Sequence, residues 1–352
     1  MACQVVLWQS LVASAADSAV VLMYHRFGED AYPSTNLRLD QLEAHISVIK
    51  AGGHVVIPLA EVVEALNYGQ EIPERAVALT VDDAYESFWT EGWPRFRAAG
   101  FPVTLFVATD AVDQAAPGMM NWDKIRSAEK EGVTVAAHSA AHTHYPSLGE
   151  ADVESDLARM NSSFLEHLGA VPTLFAYPYG EAGTADMALV EAAGFAAAFG
   201  QHSGPVYSEA GRYYLPRFPL NEAFGELDRF RLVIDTLPLK VTSISPHNPV
   251  LTNNPPSLTL AIPMASNFLK SLTCYGPGGH PISTTVGASL VHLDPEGAFP
   301  LGRVRINCTL REQGSRWRWF GWQMIAGFVS DGLAVHGRYQ NQYLPNVQVP
   351  RN

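Results

Sequence analysis

Short apolar segments alternate with amphipathic segments of helical period from residue 19 to about residue 236. The apolar segments are predicted as strands: Ala19–Tyr24, His54–Ile57, Ala76–Val81, Pro102–Ala108, Val133–Ala137, Thr173–Tyr177 and Phe195–Phe199. The amphipathic segments are predicted as helices, and each of them is followed by a glycine: Asp40–Ala51, Glu86–Ala99, Trp122–Glu131, Ala151–Leu168 and Asp186–Ala193. Nearly continuous apolar strands separated by helices are typical of a parallel sheet covered by helices, so an α/β barrel or near-barrel is predicted.

The pattern changes near residue 237, after a last predicted helix at Asn221–Thr236. A linker rich in proline and asparagine follows it. Beyond the linker, short alternating segments separated by glycine and proline are predicted as strands: Ser257–Ile262, Ser289–Leu293, Arg303–Thr309, Arg316–Trp322 and Gly332–Tyr339. The chain is therefore divided into an α/β domain at residues 16–238 and a small all-β, sandwich-like domain with a loose tail at residues 239–352.

Composition narrows the possible functions. The 352 residues include 23 basic and 35 acidic side chains, which give a formal charge of −12, and they contain no basic block. Nucleic acid is therefore not an expected partner. No run of apolar, uncharged residues is long enough to predict a membrane span. The apolar fraction of 47% and the charged fraction of 16% exclude wholesale disorder.

The first 15 residues are apolar and end in the small residues Ala-Ser-Ala, a pattern typical of a cleaved signal peptide. No lysine or arginine precedes Arg26, so the basic start of such a peptide is missing. The expected location is periplasmic or secreted; the alternative is a frayed terminus and a cytoplasmic protein. Cleavage would remove Cys3 and leave Cys274 and Cys308, which either form a disulfide or remain two buried thiols.

Polar residues follow several predicted strands at the point where each strand ends. Asp82 and Asp83 follow one strand, His138 follows another with His142 close behind, and Pro178-Tyr179-Gly180 and His25 follow two more. The carboxyl ends of parallel barrel strands share one rim, and that rim forms the active site. Four strands are therefore expected to deliver these groups to one place.

The residue types indicate a catalytic metal site. An aspartate and two histidines provide three oxygen or nitrogen ligands and leave coordination positions open for water or substrate. On a helical turn, the spacing of four would place His138 and His142 on one face. The side chains of adjacent Asp82 and Asp83 diverge at a strand end, so one can bind metal while the other acts as a base for water.

These residues resemble the motifs of the polysaccharide deacetylase family, the NodB-homology enzymes of carbohydrate esterase family 4. Thr80–Ala84 (TVDDA) resembles Thr-Phe-Asp-Asp-Gly, and His138–His142 (HSAAH) resembles His-Ser/Thr-x-x-His. Phe175–Gly180 (FAYPYG) is similar to Arg-x-Pro-Tyr, and Val21–Arg26 is similar to the first strand of the family. The resemblance covers residues 19–236. The C-terminal part is similar to the β-rich extension of a bacterial subgroup.

The resemblance implies a distorted (β/α)7 barrel that hydrolyses acetyl groups on a glycan. It implies that Asp82 is the general base and that Asp83, His138 and His142 bind a divalent metal, usually Zn²⁺, with Co²⁺, Ni²⁺ or Mn²⁺ as alternatives. It also implies that the backbone N–H of Tyr179 holds the oxyanion of the tetrahedral intermediate.

Three departures from the family pattern leave questions open. Ala84 replaces glycine, which is expected to be harmless if φ at this position stays negative. Ala176 replaces the arginine that orients the base; Arg217 could supply the missing cation, or could be a surface arginine. The Leu-x-His motif that supplies the general acid is not found, and the candidate acids are His25, His144, His202 and His247.

Three functions remain open at this point. The leading hypothesis is N-deacetylation of a glycan that contains N-acetylglucosamine. A deacylase of a small non-sugar amide and a glycan-binding protein with a vestigial site are the alternatives.

Tyr179, and more weakly Trp122, are candidates to line a sugar groove. An aromatic cluster near the end of the chain either binds carbohydrate or packs in a core, with core packing favoured: Trp317, Trp319, Phe320 and Trp322. The oligomeric state is not predicted.

Overall fold

The computed structural model describes residues 15–312 and 316–327. The described residues exclude the predicted signal peptide apart from its last residue, Ala15, and they also exclude the predicted tail and the predicted strand at Gly332–Tyr339. In the part that is described, no helix has both the length and the apolar character needed to cross a bilayer.

The first unit is built on a nine-stranded sheet with strand order β11-β10-β9-β8-β7-β2-β12, in which β5 also pairs with β7 and β13 with β2. All of its pairings are parallel except that of β12 with β2. Four further short strands of this unit form two small separate ribbons. The strands of the unit are β1 (Ala15–Ala16), β2 (Ser18–Tyr24), β3 (Arg26–Phe27), β4 (Asn36–Leu37), β5 (Val55–Val56), β6 (Ile72–Pro73), β7 (Ala76–Asp82), β8 (Val103–Val107), β9 (Thr134–Ala137), β10 (Leu174–Ala176), β11 (Ala197–Phe199), β12 (Val206–Tyr207) and β13 (Phe218–Pro219).

Helices cover this sheet. They are α1 (Leu39–Ala51), α2 (Leu59–Tyr68), α3 (Trp93–Ala99), α4 (Thr109–Asp113), α5 (Trp122–Lys130), α6 (Glu150–Leu168), α7 (Thr184–Ala192) and α8 (Leu227–Ile234). The central strands β2 and β7 are almost wholly buried, as expected for strands with helices on one side and a packed interior on the other.

The prediction of a parallel, barrel-like α/β fold is confirmed, because all seven predicted strands lie in this sheet. Two helices begin later than their periodicity predicted. The first half of the segment predicted at Glu86–Ala99 contains a π-helical turn at Phe88–Gly92, and only its end is α3. The helix predicted at Asn221–Thr236 is confined to α8. Residues Asn221–Gly225 instead form a turn, closed by Asn221 Oδ1 accepting from the N–H of Phe224 at 2.8 Å.

The second unit is a mostly antiparallel β half-barrel, which confirms the predicted β-rich C-terminal part. Its strand order is β14-β22-β21-β18-β19-β20-β17-β15, and β16 also pairs with β22. The elements are β14 (Leu237–Pro238), β15 (Ser243–Ser245), β16 (Val250–Leu251), β17 (Leu258–Ala261), α9 (Ser266–Leu269), β18 (Thr273–Tyr275), β19 (Pro281–Val286), β20 (Leu290–Asp294), β21 (Gly302–Arg311) and β22 (Trp317–Ala326).

The two units share one continuous apolar core. Trp319 of β22 packs edge-on against Phe218 of the first sheet, with ring centroids 5.5 Å apart. Trp322 does the same against Tyr214 at 5.2 Å, and both Trp322 and Phe320 are buried. Three members of the aromatic cluster, Trp319, Phe320 and Trp322, therefore pack in the core at the junction, as the favoured interpretation predicts, whereas Trp317 is half-buried with Arg311 over its ring.

A disulfide joins Cys274 and Cys308 across the C-terminal sheet. The two residues are directly opposed in the antiparallel pair β18–β21, and both are fully buried. Of the two possibilities that the sequence left open, the disulfide is the one that the structure contains. It closes a loop with a sequence separation of 34 residues.

We predict that replacing both cysteines by alanine lowers the free energy of unfolding of the protein by roughly 3–4 kcal/mol, because the unfolded chain regains loop entropy. Denaturant unfolding followed by tryptophan fluorescence measures this loss. Addition of a reductant should destabilise the wild-type protein and leave the double variant unchanged. Equal stability of the wild-type protein and the double variant in the absence of reductant would contradict the prediction.

Candidate active site

Two adjacent carboxylates lie at the carboxyl end of β7 and point in different directions. Asp82 is the last residue of the strand and is fully buried. Asp83 follows it with φ of 76°, held by its N–H donating to the carbonyl of Phe106 at 2.9 Å. The left-handed turn at Asp83 gives the two side chains separate environments, as their position at a strand end predicted.

Asp82 is bound by a buried arginine. Arg217 Nη1 and Nη2 donate to the two oxygens of Asp82 at 2.6 and 2.8 Å, and Arg217 is 0% exposed. Two further guanidinium hydrogens are donated to Gly200 O and Thr80 Oγ1. Burial raises the pKa of Asp82, but the charges of Arg217 and His138 outweigh burial and leave the pKa below its ordinary value. The surface position considered for Arg217 is wrong.

Asp83, His138 and His142 come together as a group of three possible metal ligands, with one ligand atom from each within 4.8 Å of the others. Asp83 Oδ1 lies 3.4 Å from His138 Nε2 and 3.2 Å from His142 Nε2. Asp83 Oδ1 and His138 Nε2 are buried without a hydrogen-bond partner in the described part of the chain. Since buried polar atoms are normally paired, two converging orphan atoms fit a cation.

The backbone fixes the orientation of the His138 ring. His138 Nδ1 lies 2.7 Å from the carbonyl of Ala176 on the neighbouring strand β10, so Nδ1 carries the hydrogen and Nε2 faces Asp83. Burial opposes ionisation of Asp83, but the imidazoles of His142 and His138 outweigh it, and the pKa of Asp83 lies well below its usual range. This carboxylate is therefore ionised and available as a ligand.

The segment that carries the two histidines is a loop, so the expected helical turn is wrong. Ser139 and His142 both have positive φ, 66° and 51°. The loop is held by Asp156, whose carboxylate accepts from the N–H groups of Ala140 and Ala141 at 3.0 and 2.9 Å. Ser139 Oγ accepts from the N–H of His142 at 2.9 Å. These bonds bring His142 back beside His138 without a helix.

The condition under which alanine at position 84 would be harmless is not met, since Ala84 has a positive φ of 60°. The family glycine therefore corresponds to a position that needs the left-handed conformation, and this chain tolerates alanine there at a cost of about 1–2 kcal/mol. Among described residues other than glycine, seven have positive φ, and five of them belong to the motifs at this site: Asp83, Ala84, Ser139, His142 and Tyr179. Such strain persists only where the surroundings enforce it.

Tyr179 lies next to the histidines, in a 3-10 turn at Pro178–Gly180 directly after β10. Its ring packs edge-on against His142, with centroids 4.6 Å apart, and stacks on His144 at 4.0 Å. No hydrogen bond among the described residues uses the N–H of Tyr179. Hence this donor remains available at the rim of the site.

Of the four candidate acids, His25 lies beside the aspartates. His25 Nε2 is 4.0 Å from Asp82 Oδ2. His144 is paired with Glu181, with Nδ1 to Oε2 at 2.6 Å. His202 is buried against Tyr214 and Trp322, where burial lowers its pKa to about 3. His247 is exposed in the turn after β15.

Two residues that shape the site were not found from the sequence. Asp156 lies on the apolar side of α6, whose other buried residues include Val153 and Met160, and an acid at such a position is a recognisable signal. Glu181 follows the third motif and carries no comparable signal. Trp122, a candidate for a sugar groove, is instead 7% exposed and donates to Asp113.

Comparisons with known proteins agree with this geometry. Residues 69–198 match the family model described as polysaccharide deacetylase. The poly-β-1,6-N-acetyl-D-glucosamine N-deacetylase of Escherichia coli K12 is 26% identical over 141 residues, which are 36% of this chain and 21% of that protein. The Bacillus subtilis protein YxkH, whose assignment as a polysaccharide deacetylase is provisional, is 20% identical over 197 residues, 56% of this chain and 69% of that protein. The chain thus spans about a fifth of the length of the Escherichia coli relative.

Solved structures share the fold of the first unit. The Streptococcus pyogenes deacetylase PplD, in complex with acetate, superposes with a TM-score of 0.57 at 16% identity, over 62% of this chain and 98% of that one. IcaB from Ammonifex degensii gives a TM-score of 0.54 at 22% identity, over 61% and 98%. At these identities the likeness establishes the fold alone.

We predict that Arg217→Met destabilises the protein by about 3–5 kcal/mol, because it leaves the buried carboxylate of Asp82 uncompensated. Chemical denaturation followed by circular dichroism measures the loss. The matched control is Arg231→Met, since Arg231 is 58% exposed in a surface pair with Asp228 and its removal should change stability by less than about 0.5 kcal/mol. Equal effects of the two substitutions would contradict the assigned ion pair.

Proposed function

This chain belongs to the polysaccharide deacetylase family, a family of carbon–nitrogen hydrolases, and we propose that it removes N-acetyl groups from a glycan that contains N-acetylglucosamine. The observation that carries the proposal is the division of two adjacent carboxylates between different partners. Asp83 is grouped with His138 and His142, whereas Asp82 accepts two hydrogen bonds from Arg217. One carboxylate can therefore bind a cation while the neighbouring carboxylate accepts a proton from water.

In the proposed mechanism, Asp83, His138 and His142 hold a divalent cation, with zinc as the first candidate because the donors are one oxygen and two imidazole nitrogens. When bound, the cation lowers the pKa of a water and polarises a carbonyl oxygen. Asp82 is the general base for the attacking water. Arg217 keeps Asp82 ionised and fixes the plane of its carboxylate, so the base is ready before substrate binds.

His25 is proposed as the general acid that protonates the leaving amine. Burial lowers the pKa of His25, although Asp83 and Asp82 oppose this effect, so the resting imidazole is neutral. His25 Nε2 lies 4.0 Å from Asp82 Oδ2, so a movement of about 1 Å would bring the two atoms to hydrogen-bond distance and would allow the proton taken by Asp82 to reach His25. The acid then receives its proton within the catalytic cycle.

Tyr179 completes the site through its backbone. The N–H of Tyr179 is proposed to donate to the substrate carbonyl oxygen as negative charge develops on it, which is where a preorganised donor contributes most to catalysis. The Tyr179 ring, between His142 and His144, forms one wall of the site.

The substrate class and location are part of the proposal. The Escherichia coli relative is named for a β-1,6-linked N-acetylglucosamine polymer, which supports an N-acetylated glycan as substrate here. A chain with formal charge −12 suits a neutral polymer that becomes an amine on deacetylation. The Cys274–Cys308 disulfide supports a periplasmic or secreted location, because disulfides persist in oxidising compartments.

We predict that the purified protein releases acetate from poly-β-1,6-N-acetylglucosamine or chitooligosaccharides, that EDTA stops the release, and that added zinc restores it. An enzyme-coupled acetate assay follows the reaction. The absence of metal-dependent acetate release from every acetylated glycan tested would refute the proposed substrate class, and release from a simple amide alone would favour the small-amide alternative.

We predict that His25→Asn lowers kcat by about 10²–10⁴-fold, the usual contribution of a positioned acid, while zinc content stays at the wild-type level. His247→Asn is the matched control, because His247 is exposed and should leave kcat unchanged. Kinetics of acetate release and metal analysis are measured on the same preparations. Wild-type activity in His25→Asn together with loss in His144→Asn would transfer the role to His144.

A further inference from the structure

The turn that carries the Tyr179 N–H is conformationally strained. Tyr179 and Gly180 both have positive φ, 58° and 66°. Gly180 has no substitute, since a Cβ there would lie 2.3 Å from the backbone nitrogen of Gln201. A left-handed tyrosine persists only when surrounding contacts enforce it. The contacts that enforce this conformation therefore also determine where the Tyr179 N–H is held.

Those contacts come from the C-terminal half-barrel. Arg303 on β21 donates from Nη1 to Tyr179 O at 2.8 Å. Gln323 on β22 donates from Nε2 to Tyr179 O at 3.1 Å and to Gly180 O at 2.5 Å. The carbonyls of both left-handed residues are thus bound by side chains that lie 124 to 144 residues further along the chain.

A neighbouring arginine fixes the orientation of the Gln323 amide. Arg305, directly opposite Gln323 in the β21–β22 pair, donates from Nε to Gln323 Oε1 at 2.8 Å. Arginine can only donate, so the amide oxygen must face Arg305 and the NH₂ group must face the turn. Gln323 is 0% exposed, and a hydrogen bond is electrostatically stronger in such a buried environment than in water.

A second contact ties the turn to both units. The hydroxyl of Tyr214 donates to Gly180 O at 2.9 Å and lies 3.4 Å from Gln323 O. Tyr214 also packs edge-on against Trp322, the residue before Gln323. The carbonyls of the turn are therefore directed towards the half-barrel, while the Tyr179 ring is directed towards His142 and His144.

We propose that Gln323 and Arg303 are positioning residues for catalysis, and that the half-barrel acts as a clamp on the oxyanion turn. The inference rests on the proposed function of the Tyr179 N–H. The clamp sets the backbone conformation of Tyr179, and so it sets the direction of that N–H when charge develops on the substrate oxygen. It touches neither the metal ligands nor Asp82, so its loss should lower kcat and spare both metal binding and KM.

The test is Gln323→Glu, a change of nearly equal shape that keeps the acceptor for Arg305 and replaces the donor to the turn by an oxygen. The matched control is Asn307→Asp on β21. Asn307 Oδ1 accepts from Trp319 Nε1, an interaction that aspartate preserves, and the side chain has no hydrogen bond to the turn in the described part of the chain. Both variants make the same amide-to-carboxylate change in the same sheet.

We expect kcat for acetate release to fall by about 10²-fold in Gln323→Glu, comparable to removal of one oxyanion donor, with KM and zinc content unchanged. Amide hydrogen exchange at residues 177–181 should be faster in Gln323→Glu than in wild type. Asn307→Asp should match wild type in both measurements. Wild-type kcat and wild-type exchange in Gln323→Glu would overturn the clamp.

A second pair of variants covers the case in which Gln323→Glu does not fold. Arg303 is only partly buried. Arg303→Met should lower kcat, whereas Arg303→Lys, which keeps a donor for Tyr179 O, should recover most of it. Equal kcat in the methionine and lysine variants would overturn the clamp. Absence of acetate release by the wild-type protein would instead refute the proposed function, which separates the two failures.

Discussion

The buried ion pair between Arg217 and Asp82 is the interaction on which the candidate site depends. The two residues are 135 positions apart and fully buried. Without its partner, the buried carboxylate would either destabilise the fold as a charged group or take up a proton and become uncharged. The guanidinium comes from the residue before β13, which pairs with β2, so this site is complete only once that strand joins the sheet. With Asp82 held in this way, Asp83 is left as the carboxylate that faces the histidines.

Strain and anchoring explain how the remaining groups reach the same place. The left-handed backbone conformation at Asp83, His142 and Tyr179 points each side chain or N–H in a direction that a regular strand or helix would not give it. Each strained segment has its own anchor: Asp156 binds the histidine loop, and the half-barrel binds the turn at Tyr179. The C-terminal unit is thus more than an appendage of a complete catalytic barrel.

Local patterns in the sequence predict the parts of the site that depend on neighbouring residues. Apolar runs followed by Asp82-Asp83 and by His138 placed these groups at the end of parallel strands, because strand direction and period are local properties. The φ values of Ala84 and His142 were not predictable, since surrounding contacts impose them against local preference. The hydrogen bond between Gln323 and Tyr179 was not predictable either, because it joins residues 144 positions apart and a glutamine on a strand gives no sign of such a contact.

Metal analysis of Asp82→Asn and Asp83→Asn tests the division of labour between the two carboxylates most directly. Zinc content after dialysis and acetate release are measured on the same samples beside wild type. The proposed roles predict that Asp82→Asn keeps one zinc per chain and loses turnover, whereas Asp83→Asn loses the zinc itself. Loss of zinc from Asp82→Asn, with zinc retained by Asp83→Asn, would contradict the assignment and exchange the roles of the two aspartates.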